Sequence, residues 1–284
     1  LLIDIQMPGK SGIELLREIR ALPDYANTPI IMLTAMCERS YVDNAFLEGA
    51  VDYITKPFDL SDLQVRLNSV QTLSKERRNS GSGESASVKS VQTALYGFDD
   101  AFPINGVPRL LGCREFDNYI AQLSRGRQFN SQCVAIKLQD ASFAFEASSN
   151  RDFSKAIVCL ALSISTCLAR QDCMFSYRGR GVFLVVEHGR KFFRTFLNSK
   201  ALNQVFSTEL KRCGLPSESA LSGNSFSLRS LSKTGSDSAL KKALESVEAR
   251  QTAILGQFES DSSEFEAVGA DQRDHIRKRV YEKV

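Results

Sequence analysis

The 284-residue sequence predicts an α/β protein: a doubly wound parallel sheet at the N-terminal end, then a unit of the α+β class. Three observations predict it. Strand and helix signals alternate over residues 1–77, and a βαβαβα order gives a parallel sheet with right-handed crossovers. Residues 78–92, RNSGSGESASVKSVQ, are rich in Ser and Gly with no apolar period, the composition of a flexible linker. Beyond them, two strand signals flank Arg178-Gly-Arg-Gly181, the pattern of a hairpin.

Each element has its own reason. Leu1-Leu2-Ile3 is an apolar run ending at Asp4, as in a buried parallel strand. Ser11 caps a helix through about Ala21 that turns Ile13, Leu15, Leu16 and Ile19 inward. Pro29 precedes a strand from Ile30 to Leu33 that ends at Thr34. A helix from about Glu38 to Glu48 stops at Gly49. Val51 to Ile54 is a third strand, followed by Lys56-Pro57. Leu60, Leu63, Val65, Leu67 and Val70 then support an amphipathic helix. In the second unit, Arg114–Leu123 reads as helix, Cys133–Leu138 as strand and Phe153–Leu168 as a long helix. Met174–Tyr177 and Val182–Val186 read as strands, and 192–213 and 237–250 as helices. The resulting organisation is 1–77, a linker over 78–102, a second domain over 103–250 and a charged tail over 251–284.

Composition narrows the class. A hydrophobic share of 43% and a charged share of 24% belong to a soluble globular protein. The longest apolar run, Ala156 to Ala169, is broken by Ser163, Ser165 and Thr166, and is shorter than the roughly 18 residues a membrane span needs. A net charge of +3, with no helix-turn-helix and no concentrated basic helix, gives no reason to expect nucleic acid. The seven cysteines form no CxxC pair and only His188 and His275 could join them, so a zinc site is not expected. They read as buried thiols of a cytoplasmic protein. His188 reads as a surface loop residue.

Asp4, Thr34 and Lys56 stand at the carboxyl ends of the three strands. Ligands bind outside those ends in an open parallel sheet. A carboxylate there can attack phosphorus, while a hydroxyl and an ammonium hold the phosphoryl oxygens.

These residues resemble a known family. Leu2-Ile-Asp-Ile-Gln-Met-Pro-Gly-Lys-Ser-Gly12, Leu33-Thr34-Ala35 and Tyr53-Ile-Thr-Lys-Pro-Phe58 are similar to the three motifs of the response-regulator receiver domain, and the separations 34 − 4 = 30 and 56 − 34 = 22 fit it. The resemblance implies a flavodoxin-like fold whose first strands are missing here. It implies that Asp4 accepts a phosphoryl group from a sensor histidine kinase or phosphotransfer protein, that Thr34 and Lys56 hold that group, and that Ala35 leaves it room. Tyr53 would be the aromatic switch. Mg²⁺ would be held by Asp4 and the backbone carbonyl of Gln6, with the remaining acidic ligands expected upstream of Leu1 in a longer protein; binding in the fragment is expected to be weak or absent. The 38–75 face would meet a downstream protein or a second copy.

Residues 103–250 resemble a degenerate GGDEF (diguanylate cyclase-like) domain. Asn105–Phe116 is similar to that family's opening, Val134–Phe143 to its metal-binding strand and Phe175–Gly189 to its signature hairpin. The carboxylates do not carry over. The signature falls on Arg178, Gly179, Arg180, Gly181 and Val182, the strand position falls on Gln139, and Asp140 is one step out of phase. Asp172 has Ala169, not Arg, three residues before it, so the inhibitory motif is missing too. Two-metal chemistry needs those anionic ligands, so a catalytically silent output acting through protein contacts is expected. The alternatives are a domain that senses GTP or cyclic di-GMP, and an active cyclase.

Overall fold

The computed structural model describes residues 1–35, 39–61, 63–68, 70, 96–125, 131–168, 173–188, 199–228 and 233–262. The expected linker up to residue 95, Asp172, the stretch 189–198 and residues 263–284 lie outside them.

The N-terminal unit is a parallel sheet of β1 (Leu2–Asp4), β2 (Ile31–Thr34) and β3 (Asp52–Thr55), in that order. Its helices are α1 (Gly12–Ala21), α2 (Arg39–Leu47) and α3 (described at 60–61, 63–68 and 70). Ser11 and Glu14 exchange hydrogen bonds at the start of α1, a capping box that stabilises a helix end by about 1 kcal/mol. Successive strand residues face opposite sides, so the sheet has two cores. Ile3, Ile30, Met32 and Tyr53 pack with Leu16, Val42 and Phe46 on one side. Ile31, Val51 and Ile54 pack with Val70, Leu63 and Leu67 on the other. Strands β2 and β3 each begin one residue later than the apolar runs suggest, the ladder running from Ile31 and Asp52 to Thr34 and Thr55.

The second unit is an antiparallel sheet. Its path is β5 (Cys173–Tyr177), β6 (Val182–His188), β4 (Ser131–Leu138) and β7 (Ala220–Ser222), and β8 (Phe226–Ser227) also pairs with β4. Helices α4 (Cys113–Arg125) and α8 (Lys233–Ser262) cover the face bearing Cys133, Ala135, Leu184 and Val186. Between β4 and β5 come α5 (Ala141–Ala147) and α6 (Asn150–Cys167); α6 and α7 (Ser199–Arg212) cover the face bearing Val134, Ile136, Phe183 and Val185.

Several expectations change. Residues 96–102 do not behave as linker: Tyr96 stacks on Phe102 at 5.1 Å, and Phe98 packs against Phe145 and Phe153. Aromatic side chains find a core even in a stretch without periodicity. The tail boundary at 251 also moves, since α8 continues to Ser262. Asp140 does not sit on the opposite face of β4. The strand ends at Leu138, and Asp140 adopts a left-handed conformation (φ 51°) that leads into α5, an element without a sequence signal.

The two units share one core. Helix α4 lies against the second sheet on one side and against α2 and β3 on the other, joining Phe116, Tyr119 and Leu123 to Phe46 and Tyr53 in a single cluster. Part of the face expected to meet a downstream protein or second copy is therefore covered by this chain itself. On α3, Leu60 and Val65 remain exposed.

Candidate functional site

The rim of the parallel sheet is set by register. Asp4 pairs with Leu33 and Thr34 with Thr55, so Asp4 and Thr34 close adjacent strands and Lys56 follows directly after β3. The Lys56 amide donates to the Thr34 carbonyl at 2.7 Å, which fixes where the lysine side chain starts. The Lys56–Pro57 peptide is cis. Helix α1 begins hard against the strand end: a Cβ on Gly12 would lie 2.1 Å from the Asp4 carbonyl oxygen. Only glycine allows that approach.

The Lys56 ammonium donates to Asp4 Oδ2, and the Gln6 amide donates to Asp4 Oδ1 at 3.1 Å. The pair is open to water, with side-chain exposures of 31% for Asp4 and 40% for Lys56. The Lys56 hydrogen bond, helped by the Gln6 amide, holds the Asp4 carboxyl below the usual carboxylate range. Thr34 is fully buried and Ala35 exposed. The structure thus brings Asp4 and Lys56 into direct contact and places Thr34 on the neighbouring strand end. An ionised, accessible carboxylate with an ammonium beside it can attack an electrophile and have the incoming anion neutralised.

For Mg²⁺ the donors of this rim are of the right chemistry, a carboxylate and a backbone carbonyl. They are fewer than the roughly six oxygens the ion takes. Among the described residues no group of three or more His, Cys, Asp or Glu is arranged for a metal.

Tyr53 lies inside, its side chain fully buried. Its strand is the edge of the sheet, and α4 closes that edge. Asn118 Nδ2 donates to the Val51 carbonyl at 2.9 Å and Gln122 Nε2 to the Tyr53 carbonyl at 2.6 Å. Residues four apart on a helix are about 6 Å apart and residues two apart on a strand about 6.6 Å, so the two spacings match. Beside them, Tyr119 Oη donates to Asp43 Oδ1 on α2 at 2.7 Å and lies 2.5 Å from His188 Nε2. His188 Nδ1 is 2.7 Å from Ser131 Oγ. The Tyr119 hydroxyl gives its proton to Asp43, so towards His188 it accepts, from Nε2–H. Burial first, and Asp43 second, push the Tyr119 hydroxyl well above its ordinary range, which keeps that proton in place.

His188 is therefore not a surface loop residue. It is the last residue of β6 and buried, because a two-sided polar environment makes an interior imidazole affordable. Sequence reading also missed Asp52, which is buried and paired with Arg66 of α3 at 2.6 Å. Burial raises its carboxyl pKa despite that partner. The one available signal was Asn118 and Gln122 at helical spacing among Phe116, Tyr119 and Leu123.

The rim of the second sheet spends its charges locally. Arg178 pairs with Asp117 at 2.9 Å and reaches the Cys113 carbonyl; Arg180 pairs with Asp99 at 3.3 Å. The hairpin tip presses on residues 98–100: a Cβ on Gly179 would meet the Asp99 carbonyl oxygen at 2.2 Å. Gln139 is buried. Burial, and then the nearby Asp140, push the Glu218 carboxyl up to about 7.

Comparison with known proteins agrees with the first unit. Residues 1–68 match the family model of the response regulator receiver domain. The phosphate regulon transcriptional regulatory protein PhoB of Rhizobium meliloti (strain 1021) is 43% identical over 70 residues, covering 25% of this chain and 31% of the relative. The transcriptional regulatory protein CrdR of Helicobacter pylori is 41% identical over 68 residues, covering 24% and 31%. The matched segment thus spans about a third of those relatives' length. Among solved structures, Vibrio cholerae chemotaxis protein CheY4 is similar at 30% identity, covering 24% of this chain and 57% of that one, with a TM-score of 0.24. The GGDEF domain of DgcB from Caulobacter crescentus is similar at 14% identity, covering 52% and 87%, with a TM-score of 0.39. Residues 1–68 are thus similar to response regulator receiver domains, and the chain continues into an α+β unit. No helix among the described residues is long and apolar enough to cross a membrane.

Proposed function

We propose that this protein takes a phosphoryl group onto Asp4 from the phosphohistidine of a sensor kinase or phosphotransfer protein, and passes the change to its second domain through α4 without catalysis there. The observation that carries this is the open Asp4–Lys56 pair at the sheet rim. The Asp4 carboxylate oxygen forms the bond to phosphorus as the bond to the donor imidazole breaks. Lys56 then turns from the carboxylate to the phosphoryl oxygens, and Thr34 and the Gln6 amide stand at the same rim. Ala35 leaves the group room.

The added negative charge is a local event that needs a two-state element to be read elsewhere. The face of α2 and β3 against α4 supplies a candidate. Tyr53 acts there as the switch residue, since its ring lies in the shared core and its carbonyl is held by Gln122. Asp43–Tyr119–His188–Ser131 continues the path into the second sheet. The pairing of Arg178 and Arg180 with Asp117 and Asp99 supports an output without metal-dependent turnover.

Phosphotransfer to the full-length protein in the presence of Mg²⁺ tests the acceptor. Labelling is expected on Asp4 and is expected to vanish in Asp4→Asn; label that persists in that variant removes Asp4 from its role. Incubation with GTP and Mg²⁺ tests the output, and formation of cyclic di-GMP would overturn a silent second domain.

A further inference from the structure

We infer that Cys159 and Cys213 form a reversible disulfide site that clamps α6 to α7. The inference is independent of phosphoryl transfer, since both residues lie in the second unit, on the sheet face away from α4.

The sulfurs are 54 residues apart in sequence and 3.4 Å apart in space. No CxxC spacing announces the pair. A disulfide needs the sulfurs at about 2.05 Å, so they must close by about 1.4 Å, within the range of side-chain rotation. One partner can give: Cys213 is the first residue after α7 and precedes Gly214, whose φ is 67°. The other is fixed: Cys159 sits in the middle of α6 at 1% exposure, its sulfur also near the Glu209 carbonyl at 3.8 Å.

The two thiols differ in access. Cys213 is partly exposed, whereas Cys159 lies beneath it. Burial, and then Cys213 itself, push the Cys159 thiol up to about 12, so Cys159 is the poor first nucleophile and the natural resolving partner. With hydrogen peroxide as oxidant, the Cys213 sulfur attacks one peroxide oxygen, the O–O bond breaks, and the departing hydroxide takes the Cys213 proton and leaves as water. Cys213 becomes a sulfenic acid. The Cys159 sulfur then attacks the Cys213 sulfur; the S–S bond forms as the S–O bond breaks, and the departing hydroxide takes the Cys159 proton and leaves as water. Two thiols are oxidised, and one peroxide is reduced to two waters.

The bond would close residues 160–212, which contain β5, the hairpin and β6, into a covalent loop. Such a link restricts the unfolded chain and stabilises the folded one. Oxidation is therefore expected to raise the melting temperature by several degrees, reversibly with a thiol reductant.

The test is to treat the reduced full chain with hydrogen peroxide, block the remaining thiols, and digest it without reductant for mass spectrometry. The expected result is a peptide joining Cys159 to Cys213 and an intact mass lower by two hydrogens, both reversed by reductant. Cys159→Ala is expected to leave a Cys213 sulfenic acid that dimedone traps, and the wild type far less of it. Cys213→Ala is expected to leave Cys159 unreacted. A digest in which both residues stay thiols while the half-buried Cys113 or Cys167 oxidises overturns the site, as does equal dimedone trapping in the wild type and in Cys159→Ala.

Discussion

Asp4 of the first sheet and Glu187 of the second hold their carboxyls in opposite ways, while Asp52 of the first is raised by burial as Glu187 is. At the rim of the first, Asp4 is open to water beside an ammonium and an amide, and its pKa is pulled down. In the second, Glu187 is buried and burial raises its carboxyl to about 7, as burial and Asp140 do for Glu218. One unit supports negative charge at its rim, and the other resists it or cancels it in local pairs. The difference teaches that the chemistry of a rim depends less on which acids a sequence contains than on what faces them.

That contrast can be broken or sharpened by experiment. The largest effect is expected at Asp4: Asp4→Asn should reduce phosphoryl incorporation to background while Arg180→Ala leaves it unchanged, measured with a phosphohistidine donor on the full-length protein. Next comes the helix between the units. Tyr119→Ala removes a fully buried ring and should cost about 3–5 kcal/mol in urea denaturation. Tyr119→Phe should cost about 1–3 kcal/mol, because Asp43 and His188 lose a shared partner.

The acids should then show opposite pH signatures. A carboxyl whose folded pKa is raised is fully compatible with folding only while protonated. The Glu187 contribution should therefore weaken stability progressively as pH rises from its ordinary value of 4.5 towards and through about 7. Glu187→Gln should flatten that slope and stabilise the protein above pH 8 by on the order of 2 kcal/mol. Asp4 has the reverse sign: its contribution is present above the ordinary carboxylate pKa and lost as pH falls through its lowered one, so Asp4→Asn should flatten the acid limb of the stability profile. The smallest effect is expected at the exposed pair Arg180–Asp99, where Arg180→Ala should shift stability by no more than about 0.5 kcal/mol.

Much of the first unit was legible because its signals are local. A capping Ser11, apolar runs ending in Asp4 and Thr34, and Lys56-Pro57 at the right separation each declare themselves within a few residues. The parallel order then carries those strand ends to one rim without further information. What stayed hidden was non-local. His188 looked like loop because nothing nearby shows that Tyr119 and Ser131 will meet it. Asp52 looked like a polar residue on a strand until α3 brought Arg66 over it. Residues 96–102 lacked periodicity, yet their rings found Phe145 and Phe153. The end of β4 at Leu138 was read correctly, but the turn after it was not, because a left-handed Asp140 leaves no mark in a hydrophobic pattern.

The capped edge of β3 has a consequence for solubility. A bare edge strand is a template on which foreign strands can assemble, and here the Val51 and Tyr53 carbonyls are occupied by Asn118 and Gln122. Any excursion that lifts α4 uncovers this template at the same moment as the apolar surface of Phe46 and Tyr53. Aggregation propensity should therefore follow how long that helix spends away from the strand, and weakening the two amide contacts should shorten shelf life before it changes the resting fold.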